Sequence, residues 1–177
     1  MQIYFITGVN GVGKSSVISH LRSGLTDKNF VIYDFDERGV PDGADGDWRR
    51  SETRHWLEMG RENKEKNIST IICGFSKPEE IQAIAEDVQV PVMVVLLDAD
   101  AETITQRIMG RYPSPESRVE LERMVGKTPE KFASDNVWAS SKFRETAAKL
   151  GYKILDTTKL SPERAAKDII SFIVSIG

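Results

Sequence analysis

The chain has 177 residues, 40% of them hydrophobic and 29% charged, with a formal net charge of −3. That length suits a single domain, residues 1–177, with a sizeable core, and the mildly acidic balance supplies no basic field to draw nucleic acid or a membrane surface. Cys73 is the only cysteine, which rules out an internal disulfide and makes a reducing, cytoplasmic setting the simpler expectation.

Residues 2–7 form an apolar, β-branched and aromatic run that predicts a buried strand. Gly8 and Asn10 interrupt it too early for a leader peptide or a membrane span. It leads into GVNGVGKS, residues 8–15, which satisfies the Walker A pattern G-x-x-x-x-G-K-S at the start of a predicted helix over 14–23. A strand that turns through glycines into a helix aims backbone N–H groups and the positive helix end at one point, where a phosphate fits. The nucleotide contacts expected here are Gly8, Asn10, Gly11, Val12, Gly13, Lys14, Ser15 and Ser16. Lys14 is placed to reach the β- and γ-phosphates and Ser15 to join a Mg²⁺ shell.

A second strand over 30–34 ends in YDFD. Asp34 and Asp36, two apart, share one side of an extended segment. They can divide two tasks of phosphoryl transfer, holding Mg²⁺ and taking the proton of an attacking hydroxyl. An acidic turn is the plain alternative. After a loop at 39–46, a helix over 47–66 sets Trp48, Glu52 and Trp56 on one face, either as core or flanking a ligand, with Arg49 and Arg50 beside them. The third strand, 68–74, carries Cys73 where many P-loop enzymes keep an acid, and the cysteine reads as a small buried hydrophobe. Phe75 and Lys77 precede a proline-started helix over 78–87; Lys77 is either a contact to an anionic substrate or a solvated lysine.

The fourth strand, 92–97, runs into Asp98, a competing candidate for the metal. A helix over 101–111 places Arg107 and Arg111 four apart so that they project together, which suits the charge on a transferring phosphoryl group. Two solvated arginines are the plain alternative. Residues 111–127 read as a mobile segment. Helices over 115–125, 129–150 and 162–176 each open on a Ser/Thr-Pro-Glu start. With a last strand at 153–155, the alternation predicts α/β architecture around a mainly parallel sheet. His20 and His55 have no partner at metal-ligand spacing.

Over nearly its whole length the chain resembles the P-loop kinases of small molecules, the superfamily of adenylate, shikimate, gluconate and nucleoside kinases. GVNGVGKS is similar to their phosphate loop, and GFSKP to the glycine-phenylalanine-proline-arginine stretch of adenylate kinases. QRIMGRY resembles the arginine-x-x-x-arginine entry to the lid, and DTTKLSPERAAKDI the last strand, adenine-contacting loop and final helix. YDFD with DWRRSE resembles the aspartate-x-aspartate and downstream arginine of shikimate-type kinases. The chain departs from adenylate kinases at Cys73, Ser76 and Lys77, where they carry an acid, a proline and an arginine.

The resemblance implies a three-layer fold with a five-stranded parallel sheet of order 2-3-1-4-5, an acceptor-site helix within 41–66 and a lid over 111–127. It implies ATP and Mg²⁺, with Lys14, Asp36, Arg107 and Arg111 catalytic. Lys159 joins the nucleotide contacts, and Ser15 and Asp34 hold the metal. Asp34, Asp36, Trp48, Arg49, Arg50, Phe75 and Lys77 surround the acceptor. A nucleoside or nucleotide is the acceptor expected first. The alternatives are a sugar or hydroxy acid of the shikimate or gluconate kind, or an ATPase or switch module without an acceptor. A monomer or homodimer is expected.

Overall fold

Five short apolar runs become the strands β1 (Ile3–Thr7), β2 (Phe30–Asp34), β3 (Ser69–Cys73), β4 (Val92–Asp98) and β5 (Lys153–Asp156) of a computed structural model that describes residues 1–26 and 29–176. Every pairing is parallel, in the order β2-β3-β1-β4-β5, as the resemblance implied. Between them lie α1 (Lys14–Gly24), α2 (Gly46–Glu65), α3 (Pro78–Asp87), α4 (Ala101–Met109), α5 (Pro115–Val125), α6 (Pro129–Lys149) and α7 (Pro162–Ile176). Helices cover both sheet faces, so β1 is buried at every residue and reads as a continuous apolar run. Its alternate side chains divide between two cores. Tyr4 and Ile6 pack with Leu21, Ile104, Phe143 and Ile169 of α1, α4, α6 and α7, while Ile3 and Phe5 pack with Trp56, Leu57, Ile81 and Ile84 of α2 and α3.

The helix starts follow from their caps. Ser114 accepts from the Ser117 N–H, Thr128 from the Lys131 N–H and Asp100 from the Thr103 N–H, each satisfying a first-turn donor. Asp45 accepts from the Asp47 and Trp48 N–H groups. This is why α2 begins at Gly46, one residue ahead of the helix expected over 47–66, and Pro41 to Ala44 form a turn. Likewise α4 stops at Met109, two residues short of the expectation, and leaves Arg111 in a turn. Among the described residues no helix is long and apolar enough to cross a membrane. The parallel arrangement brings the carboxyl ends of all five strands to one edge, the usual place for a ligand in an open α/β sheet.

Candidate active site

The loop between β1 and α1 is shaped by close approach. A Cβ on Gly8, whose φ is +148°, would stand 2.4 Å from the Leu97 carbonyl oxygen, so only glycine lets the backbone lie this near β4. The loop closes on Gly13, the left-handed N-cap of α1. Of the seven described helices, α1 alone begins with neither a side-chain cap nor an acid in its first turn. The Ser16 N–H turns back to the Gly13 carbonyl at 3.1 Å, and the Lys14 and Ser15 N–H groups with the positive end of the dipole are left open to an anion. Lys14 Nζ donates to the Val9 carbonyl at 2.8 Å and sits 5.9 Å from the centre of the Phe75 ring. Burial, reinforced by Arg111 nearby, pushes this ammonium down to about 8 against the pull of Cys73, Asp36 and Asp34.

Beside the loop lies a cavity of about 350 Å³ lined by Gly11, Gly13, Arg107, Arg111, Thr157 and Leu160, among others. The two arginines both reach it but play different parts. Arg107 donates to the Gly11 carbonyl at 3.2 Å and to Thr157 Oγ1 and its carbonyl at 3.2 and 2.9 Å. Thr157 Oγ1 in turn donates to the Val12 carbonyl at 2.9 Å. Arg107 therefore ties the loop to the β5–α7 connection and walls the cavity. Arg111, beyond the helix end, is exposed and has no ion-pair partner among the described residues. Lys159, in the same connection as Thr157, is exposed and does not line the cavity. A groove of about 410 Å³ along β5 and α7 shares no residue with the loop.

Asp34 and Asp36 come together through a turn rather than through the strand pleat. The Asp36 N–H donates to Asp34 Oδ1 at 3.1 Å, just beyond the end of β2. Phe35 between them is driven into the core so tightly that a Cβ on Gly74 would lie 1.9 Å from its own Cβ. The Asp36 carboxyl is pushed above the usual range by burial, then by Asp34, with Glu52 adding and Lys14 opposing. Cys73 is a buried thiol pushed up to about 12 by burial, with Sγ 3.4 Å from the Lys14 carbonyl, so it offers no thiolate. Among the described residues no group of three or more His, Cys, Asp or Glu is arranged to hold a metal ion. The Ser15 hydroxyl and the Asp34 carboxylate are oxygen donors of the hard kind that Mg²⁺ takes. Asp98 is 5% exposed. Its Oδ1 accepts from Ser140 Oγ at 2.5 Å and its Oδ2 from Arg144 Nε, so its carboxylate is engaged by α6.

On the other flank Arg49 gives Glu80 a two-pronged contact, Nε and Nη2 at 2.7 and 2.8 Å, while its guanidinium lies 5.5 Å from the centre of the Phe75 ring. The same ring stacks on Phe143 at 5.8 Å. Arg50 and Lys77 approach Glu80 at 3.6 and 3.7 Å, and Arg50 also pairs with Asp47. Trp48 is partly buried with its ring edge on Phe35. Trp56, on the same face of α2, is a core residue, stacked on Tyr33 at 4.7 Å and donating Nε1–H to the Phe35 carbonyl.

Two residues escaped the sequence reading. Glu80 neutralises Arg49, as Glu52 does Arg38, and Asn136 Oδ1 accepts from the backbone and side-chain amides of Asn10 at 2.9 and 3.3 Å. The signal for Asn136 was present: it and Ser140 interrupt the buried stripe Ala133, Phe143 and Ala147 of α6 with polar groups that need partners.

No family model matches the chain, and no curated protein matches it in sequence. In structure it is similar to an unliganded sugar kinase from a Janibacter species, at 18% identity and a TM-score of 0.65 over 98% of this chain and 95% of that one. It is also similar to a shikimate kinase from Acinetobacter baumannii in complex with shikimate, at 18% identity and 0.62 over 99% and 94%. A gluconokinase from Sinorhizobium meliloti matches at 13% identity and 0.62 over 99% and 93%. The chain has the fold of the P-loop small-molecule kinases over nearly its full length.

Proposed function

We propose that this protein transfers the γ-phosphoryl group of ATP to a hydroxyl of a small polyhydroxylated metabolite. The observation that carries this reading is the uncapped, acid-free N-terminus of α1 beneath Lys14, opening onto a cavity walled by Arg107. Magnesium-bound ATP supplies the phosphoryl group and a hard cation to gather its oxygens. The α1 amides and Lys14 bind the phosphates, and Ser15 and Asp34 hold the metal. Arg107 and Thr157 shape the nucleoside cavity, with Lys159 at its rim. Arg111 offsets charge that moves toward the leaving oxygen. As the acceptor oxygen bonds to phosphorus its proton passes to Asp36, and the bond to ADP breaks with ADP keeping the electron pair. The raised proton affinity of Asp36 suits it to this base role. In this reading α2 forms the acceptor side of a single unit, and 111–127 is its lid.

The names of the neighbours, kinases of a sugar, of shikimate and of gluconate, support a sugar or hydroxy-acid acceptor over the nucleoside or nucleotide expected first. Lys14→Ala tests the reading. The lysine carries a charge contact rather than packing, so the variant should fold, as judged by circular dichroism, and lose ~10²-fold or more in ATP-dependent transfer. A folded Lys14→Ala protein with undiminished turnover would overturn the kinase reading.

A further inference from the structure

The acceptor flank is built from cations that are already spoken for. Both oxygens of Glu80 take the Nε and Nη2 prongs of Arg49, and the two side chains are only 15% and 11% exposed. Arg50 and Lys77 lean on the same Glu80. Arg38 Nη1 is held by both oxygens of Glu52 at 3.2 and 3.1 Å. Among the described residues Lys14 is the cation that acts on Asp36, and the transferring phosphates claim it together with the unpaired Arg111 near it. Segments 34–52 and 75–80, which supply this flank, contain nine carboxylates against four Lys or Arg.

From this we infer that the acceptor is a hydroxylated metabolite with no carboxylate or phosphate of its own, neutral or carrying an amine. The inference rests on the kinase reading above and narrows its acceptor, keeping the sugar-like compounds and setting the hydroxy acids aside. A carboxylate is recognised best by a free, two-pronged guanidinium, and the fork of Arg49 is filled from within the protein. An anionic acceptor would also have to settle beside Asp36, where like charges repel. Hydroxyls and ammonium groups meet the opposite situation, because each finds an acceptor oxygen among the carboxylates of this flank.

A mixed metabolite extract separated on an anion-exchange resin tests this directly. The retained fraction holds anionic compounds, the unretained fraction neutral and cationic ones, and each is incubated with the protein, Mg²⁺ and γ-labelled ATP. Labelled product should form from the unretained fraction and exceed that from the retained one by about tenfold or more. Equal labelling, or labelling from the retained fraction alone, overturns the inference and leaves the kinase reading standing. No label from either fraction overturns the proposed transfer, and this inference with it. Glu80→Gln frees the Arg49 fork and should move labelling toward the retained fraction, while a folded variant with an unchanged distribution overturns the part given to the ion pair. Should that variant fail to fold, Glu52→Gln, which releases Arg38, is expected to act in the same direction.

Discussion

Lys14 is held where its charge is useful only when a ligand arrives. Enclosed against the Val9 carbonyl and the Phe75 ring, it binds its proton less tightly than in the unfolded chain, near 8 rather than 10.5. The unfolded chain therefore binds more protons between those two values, and this group adds stability only as pH rises through that window, weighing against the fold below it. Phosphate at the ammonium reverses the penalty. ATP binding measured by calorimetry between pH 8 and 9 is thus expected to take up a proton, so that the heat varies with buffer ionisation enthalpy. Lys14→Arg, permanently charged, should abolish that dependence, and a buffer-independent heat in the unmodified protein would show that Lys14 is not the titrating group. The two acids at the end of β2 separate in the same way. Asp36→Asn should keep nucleotide and metal binding and lose ~10²-fold or more in transfer, because the amide retains size without basicity. Asp34→Asn should instead raise the Mg²⁺ concentration needed for half-maximal rate. If the two variants are interchanged in effect, the roles are reversed.

At the scale of elements, α6 holds the site's supports in place. One helix face presents Asn136 to Asn10 of the phosphate loop, and Ser140 with Arg144 to Asp98 at the end of β4. Asp98, a candidate for the metal in the sequence, is fastened to α6. Asp98→Asn should lower stability by about 1–3 kcal/mol in a denaturant titration, the usual effect of disturbing a buried hydrogen-bonded carboxylate, with a far smaller effect on kcat than Asp36→Asn. If Asp98→Asn proves the most damaging kinetically, the metal belongs on β4. The helices themselves were legible because Ser114, Thr128 and Ser161 each stand before Pro-Glu, a local signal written in adjacent residues. The pairing of Asn10 with Asn136 spans 126 positions, and Arg49 with Glu80 spans 31. Neither leaves a trace in any window short enough to show periodicity, so Arg49 read as a free ligand group although it is an internal ion pair.

For the molecule as a whole, alternation of strands and helices implied a parallel sheet, whereas the order β2-β3-β1-β4-β5 is not contained in any local pattern and was reached through the phosphate-loop resemblance. The same frame makes motion uneven across the chain. The sheet and the helices against it are closed by two cores, but α5 buries only Leu121, and Val119 and Met124 stand 66% and 63% exposed. Beyond Tyr112, which packs against the core at the start of 111–127, the segment is held by surface pairing, Arg118 with Glu130 at 3.1 Å and Lys127 with Asp135 at 2.7 Å, contacts worth ~1 kcal/mol or less each. A segment with so few buried contacts is expected to open at the low end of the protein's stability range, which is what the proposed lid, with Arg111 at its root, requires. Hydrogen exchange should therefore be fast over 111–127 in the free protein and slow by about tenfold or more when ATP, Mg²⁺ and acceptor are present together, with β1 and α7 changing little. Protection confined to the phosphate loop, with 111–127 exchanging at its free rate, would mean that α5 stays open through catalysis and that Arg111 acts from a fixed turn.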